Sequence, residues 1–225
     1  MRLTLSCAFA LLAVPVAAQT IPELIHLSAL GENIDATPRL ALTTPMAEKI
    51  NGSLQMFDTS SYEALAACDG PARDVRTLSR SAEFLSLWVT ESAICEGAAH
   101  PYYGDWLVSF DLSTGGTVFW DTLLPESLLQ TKAADYDPNY PLRSAALNAL
   151  YRAQAPKNAE CAEVFANPVD FNFAIDAANH ALAMVPVGLP YAEIACAETA
   201  LIPLDLARTL DLSPRLLTAI ETGQP

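Results

Sequence analysis

Histidines and carboxylates do proton and metal chemistry near neutral pH, so they are read first. The chain has three histidines, His26, His100 and His180. No Gly-x-Ser-x-Gly elbow exists, and the cysteines are better explained as disulfides, so nucleophilic triads find no support. His26 lies in a weakly patterned segment and His180 in a turn. His100 stands in Glu96-Gly97-Ala98-Ala99-His100-Pro101-Tyr102-Tyr103-Gly104-Asp105. Small residues there let backbone come close, and a histidine, two tyrosines and a carboxylate follow. Flat faces, hydroxyls and one charge suit a saccharide or a protein surface. His100, Tyr102, Tyr103 and Asp105 are therefore the candidate ligand-binding residues. Read alone, His100 is better explained as a ring N–H tied to a neighbouring carbonyl than as a catalytic base. No residue is assigned a catalytic role.

Asp105, Asp111 and Asp121 fall in one expected hairpin and are predicted to face solvent. Nothing like the tight D-x-D-x-D-G calcium spacing occurs. No C-x-x-C pair supports zinc or redox chemistry. No metal and no cofactor is expected. Two carboxylates can make a glycosidase pair. With 26 acidic residues some such pair can always be chosen, so the count carries no weight.

The elements that position these residues follow from periodicity. Glu23 to Leu30 is compatible with a strand. Pro45 suits a first helical turn, and Met46, Ile50, Leu54 and Phe57 follow at helical spacing. Tyr62, Leu65 and Ala66 begin a second helical stretch, which Asp69-Gly70-Pro71 stops. Asp74–Ser81 and Glu83–Cys95 read as strands. Gly97–Gly104 reads as a loop. Trp106, Val108, Phe110 and Leu112 alternate with Leu107, Ser109, Asp111 and Ser113, a strand with one apolar face. Thr114-Gly115-Gly116 turns the chain, and Thr117–Thr122 returns beside it. Glu126–Gln130 is a short helix at most, and Asp135–Pro141 is irregular. Arg143–Phe165 is the longest helical stretch, interrupted at Pro156. Phe171–Ile175 and Ala181–Val185 flank a turn at Asp176–Asn179. Leu201–Leu204 leads into a helix ending near Leu210. Hairpins dominate, so the expected class is α+β: an antiparallel sheet with packed helices, in two interlocking subdomains.

Residues 1–18 read as a secretory signal, with Arg2 ahead of an apolar run and Val16-Ala17-Ala18 at the cleavage site. The run is too short to span a bilayer, so no membrane insertion is expected after cleavage. Cys68, Cys95, Cys161 and Cys196 remain, an even number in an exported chain. Three pairings are possible. Cys68–Cys95 with Cys161–Cys196 is favoured because each closes a local loop. Each such loop stabilises by about 3–4 kcal/mol on the chain-entropy account.

Lys plus Arg is 12 and Asp plus Glu is 26, a net charge of −14. That sign excludes a phosphate-backbone reader, and no nucleic-acid partner is expected. Its readings are solubility, a saline habitat, or attraction of a basic partner.

Two stretches resemble one family. The first holds Ser86-Leu87-Trp88, Gly97-Ala98-Ala99-His100-Pro101, Phe110-Asp111-Leu112-Ser113-Thr114-Gly115-Gly116 and Phe119-Trp120-Asp121-Thr122-Leu123-Leu124. The second holds Pro190-Tyr191-Ala192-Glu193-Ile194-Ala195, then Leu201-Ile202-Pro203-Leu204. Both are similar to the exported domain of unknown function in the lysozyme-binding anti-sigma factor RsiV. Thr37-Pro38-Arg39-Leu40 and Glu48-Lys49-Ile50-Asn51 resemble its smaller partner domain, also found in the peptidoglycan deacetylase PdaC. The organisation implied is a signal at 1–18, an N-terminal α+β subdomain at 19–82 and a C-terminal α+β domain at 83–225. The resemblance implies a periplasmic or secreted, non-enzymatic binding module. Its partner would be a basic protein such as a lysozyme-like hydrolase, or peptidoglycan. The alternative is a cell-wall hydrolase using His100 with Asp105 or Asp111.

Overall fold

The computed structural model describes residues 20–129 and 142–225. The signal expected over 1–18 and the irregular stretch expected over 135–141 lie outside the described residues. The fold is α+β, with antiparallel sheets, packed helices and two disulfides.

Strands β1 (Leu24–Ile25) and β2 (Arg39–Leu40) pair antiparallel. The strand expected over Glu23–Leu30 is only that two-residue piece. Helix α1 (Pro45–Leu65) follows as one 21-residue element rather than two. Thr44 caps it by accepting from Ala47 N, and Pro45 occupies the first turn, where a missing N–H costs nothing. Strands β3 (Asp69–Arg80), β4 (Phe84–Ile94), β5 (Tyr102–Asp111) and β6 (Gly116–Thr117) form one antiparallel sheet in that order. Positions 82 and 83, where the two expected subdomains meet, lie in the turn between β3 and β4.

The second sheet comes from β7 (Leu142–Arg143), β8 (Asp170–Asp176), β9 (Ala181–Val187) and β10 (Ala200–Pro203), ordered β10-β9-β8-β7. Helix α2 (Ala145–Gln154) separates β7 from β8, and α3 (Leu204–Thr209) and α4 (Pro214–Thr222) close the chain. The helix expected over Arg143–Phe165 stops at Gln154, just before Pro156. Short 3-10 turns at Ala159–Cys161 and Val164–Ala166 replace its second half.

Burial sorts these elements into four layers. Ile50 and Leu54 of α1 pack on Leu85, Leu87, Phe110 and Leu112 of the first sheet. The opposite face of that sheet meets the second sheet through Leu107, Ala174, Ala183 and Val185. Small residues let the two sheets approach, and Ser86 Oγ bonds Ser109 Oγ (2.8 Å) while accepting from Ile175 N (3.2 Å). Phe171, Phe173, Ile175, Leu182 and Met184 point the other way, onto Leu147 and Tyr151 of α2 and Leu216 and Ile220 of α4. The order is helix, sheet, sheet, helices.

Val108, Phe110 and Leu112 share the α1 face with Trp106, whose ring meets Phe57 edge-on at 6.2 Å. The alternate row is not solvated, because the second sheet covers Leu107 and Ser109. The return strand expected over Thr117–Thr122 is cut to Gly116–Thr117 and becomes a 3-10 turn at Trp120–Thr122. Trp120 is drawn into the helical core against Phe173, ring centroids 5.7 Å apart, and that burial outweighs further pairing. Glu126–Leu129 is a turn, with Leu128 N donating to Pro125 O.

Cys68 pairs with Cys95 and Cys161 with Cys196, as favoured from the sequence. The first ties the segment after α1 to the end of β4. The second ties the segment after α2 to the segment before β10. No described helix is long and apolar enough to cross a membrane.

Candidate functional site

Register places the candidate residues. Across the first sheet the rows on one face run Arg76-Trp88-Leu107, then Asp74-Thr90-Asp105, then Ala72-Ser92-Tyr103. The second sheet covers Leu107 and packs partly on Trp88. The last two rows are left half-buried or exposed. β6 pairs with β5 only at Phe110 and Asp111, so the Tyr102–Trp106 end has no strand beyond it among the described residues. A cavity of about 930 Å³ opens there. Tyr102, Tyr103, Asp105 and Trp106 border it from β5, Asn172 from β8, and Tyr191 from the segment after β9.

The sequence grouping is thereby split. Successive strand residues alternate faces. Tyr103 and Asp105 lie on the row that faces the second sheet. Tyr102 and Trp106 turn towards the α1 side, their rings 6.5 Å apart. Gly104 sits between them because a Cβ there would overlap the Trp106 ring. That close approach converts the expected Gly97–Gly104 loop into strand from Tyr102 onward.

His100 is exposed at the lip, stacked on Tyr191 with ring centroids 3.7 Å apart and planes 12° apart. Its Nδ1 lies 3.2 Å from the carbonyl oxygen of Pro101. Gly97 takes φ +77°, the left-handed turn that starts this segment, while Ala98 needs no such freedom.

Asp105 is not solvent-facing. Its carboxylate accepts a hydrogen bond from Trp88 Nε1. Burial pushes its carboxyl above the usual range, against the opposing pull of Trp88 and Arg76. Asp111 stands at the far end of β5, nine positions from Tyr102 and about 30 Å away at strand rise. Arg215 Nη1 donates to it (3.0 Å), and the same guanidinium donates through Nε to Glu83 (2.6 Å). Burial would raise Asp111, but Arg215 and Ser113 outweigh it and hold the carboxyl below the ordinary value. Asp121 is half-buried with one carboxylate oxygen sequestered. The expectation of three solvent-facing aspartates is corrected accordingly. His26 and His180 are exposed, and His180 takes φ +45° in the β8–β9 turn.

Beneath the site lies a polar network that sequence reasoning missed. Tyr102 OH donates to Glu91 Oε2 (3.4 Å), and Glu91 faces Arg73 Nε at 3.1 Å. Arg73 Nη1 donates to Asp58 Oδ1 (2.8 Å), and Arg39 Nη2 to Asp58 Oδ2 (2.7 Å). Thr37 N and Oγ1 also donate to Asp58. Arg73 and Glu91 are each 3% exposed, and the guanidinium lies 5.0 Å from the Phe57 ring centre. Burial and the Glu91 charge push the Tyr102 hydroxyl up to about 12. Tyr102 therefore stays neutral and donates. The available signal was Asp58 interrupting the apolar face of α1.

The groove thus offers aromatic faces from Tyr103 and Tyr191, an acceptor at Asp105 and an amide at Asn172, with Tyr102 and Trp106 along its edge. Aromatic stacking with a few convergent polar groups is the chemistry of ligand capture. Among the described residues no group of three or more His, Cys, Asp or Glu is placed to hold a metal ion. No protein-family model and no curated protein matches the chain.

Proposed function

We propose that the chain is an exported, non-enzymatic binding module whose groove recognises the saccharide of peptidoglycan. The carrying observation is the groove itself, in which Tyr103 and Tyr191 meet Asp105 and Asn172, with Tyr102 and Trp106 along its edge. Sugar rings present apolar C–H faces and hydroxyl rims, which match aromatic planes beside a carboxylate and an amide. A volume of about 930 Å³ holds about two amino-sugar rings at about 30 Å³ per heavy atom. The apolar run at 1–18 and the two disulfides support a periplasmic or secreted location. The resemblance to the exported RsiV domain points to the same compartment.

The charge of −14 favours a second reading, in which the partner is a basic protein such as a lysozyme-like hydrolase. The hydrolase alternative needs His100 to work with a carboxylate. Its ring is instead stacked on Tyr191, Asp105 is bonded to Trp88, and Asp111 is paired with Arg215 at the far end of the strand.

Co-sedimentation with purified peptidoglycan sacculi, beside a pull-down of lysozyme, tests the proposal. Sedimentation without release of soluble fragments is expected. Capture of lysozyme alone moves the function to the second reading. Fragment release that His100→Ala abolishes at unchanged stability replaces binding by hydrolysis.

A further inference from the structure

A second cavity, of about 370 Å³, lies on the helical side of the second sheet. Tyr151 and Phe165 line it, and so does the Cys161–Cys196 disulfide. Interiors pack to crystal density, so an apolar opening of this size beside the core is a site rather than a packing fault. Its floor is rigid. Tyr151 is 1% exposed, and its hydroxyl donates to the carbonyls of Glu198 (2.8 Å) and Cys196 (3.3 Å).

The rim carries two cations in an acidic chain. Arg39, Arg73, Arg76, Arg143, Arg208 and Arg215 each lie within 3.4 Å of a carboxylate. Arg152 and Lys157, like Lys49 and Arg80, have no such partner among the described residues, and Arg152 and Lys157 both border this one cavity. Glu198 borders it too, so the mouth carries one net positive charge in a chain of −14. Two unpaired cations above an apolar floor match a ligand with an anionic head and an apolar body.

We propose that this cavity binds a small amphipathic carboxylate, its head held by Arg152 and Lys157 and its chain laid along Phe165, Tyr151 and the disulfide. At about 30 Å³ per heavy atom the space takes about twelve atoms, the size of a ten-carbon fatty acid and too little for a phospholipid.

Calorimetric titration of the purified signal-free protein with decanoate, below its aggregation threshold, tests this, with decylammonium as the charge-reversed control. One decanoate per chain is expected, with no binding of decylammonium. Arg152 and Lys157 are exposed, so R152Q/K157Q folds, which an unchanged Tm checks. That variant is expected to bind decanoate at least about tenfold more weakly. Equal binding of both amphiphiles, undiminished binding by the variant, or no decanoate binding at all would overturn the proposal.

Discussion

The imidazole of His100 and the phenol of Tyr191 are stacked face to face, 3.7 Å between centroids. They come from opposite halves of the chain, one before β5 and the other after β9. The first lies in Gly97–Pro101 and the second in Pro190–Ala195. The stack joins the two stretches into one lip of the groove. Tyr191 is 49% exposed, so the pair is worth less than the roughly 1 kcal/mol of a buried aromatic contact.

His100→Ala is therefore expected to lower Tm by only a degree or two while weakening saccharide binding several-fold, because the lip loses its brace. Differential scanning calorimetry and binding on the same sample check this. A large loss of Tm would make His100 a core element instead.

Gly104→Ala is expected to be far more damaging than an exposed glycine substitution. The new Cβ would overlap the Trp106 ring, which is hemmed by Phe57 and Tyr102. Overpacking of this kind costs about 1–3 kcal/mol. Urea denaturation should show a lower midpoint. An unchanged midpoint would mean that the indole moves freely and does not shape the groove.

Asp58 anchors Arg39, Arg73 and Thr37 in a buried cluster. Burial raises its carboxyl, but the hydrogen bonds from Arg39, Arg73 and Thr37 outweigh burial and hold it below the ordinary carboxylate value. A depressed folded value means stability that is present above the unfolded value of about 3.9 and lost as pH falls through the folded one. Stability should therefore fall below about pH 4. Asp58→Ala should cost about 3–5 kcal/mol at neutral pH, since it removes one of the two carboxylates that face the buried Arg73 guanidinium. Should the variant unfold within 1 kcal/mol of the wild type, Glu91 alone is a sufficient counter-charge for Arg73.

Asp105 behaves oppositely. Its folded value is raised, chiefly by burial, so its ionised form destabilises the fold above the unfolded value, and the penalty vanishes below it. Asp105→Asn is expected to raise Tm at pH 7 and to change it little below pH 4. The amide oxygen can still accept from Trp88 Nε1. A lower Tm at pH 7 would show that the Trp88 and Arg76 contacts outweigh burial.

Local pattern carried much of this architecture. The β4–β5 and β8–β9 hairpins, the start of α1 and both disulfides were legible, because each follows from alternation, capping or chain proximity. What escaped depends on tertiary context. Tyr102–Gly104 looked like loop because glycine and proline punctuate it, yet the Trp106 ring needs a flat strand beside it. Leu107 sits in the supposedly polar row because a second sheet covers that row, which no single strand reveals. The shortening of β6 is decided by the core that receives Trp120. Helix α4 was overlooked although Ser213 and Pro214 mark its start, with Ser213 accepting from Leu216 N. Of the site, the run from His100 to Asp105 stood out by residue type, although Tyr102–Asp105 is strand rather than loop. Its stacking on Tyr191 and the Glu91–Arg73–Asp58 support were not, since they join distant segments.

The central claim is that the β5 groove holds peptidoglycan saccharide by stacking. Titration of the purified protein with a soluble GlcNAc–MurNAc tetrasaccharide, followed by intrinsic tryptophan fluorescence, measures it directly. Saturable quenching is expected, lost or weakened at least about tenfold in Tyr191→Ala and unchanged in Arg208→Gln, which lies on α3 outside the groove lining. Absence of a saturable change in the wild type, or equal affinity in Tyr191→Ala, would contradict the account.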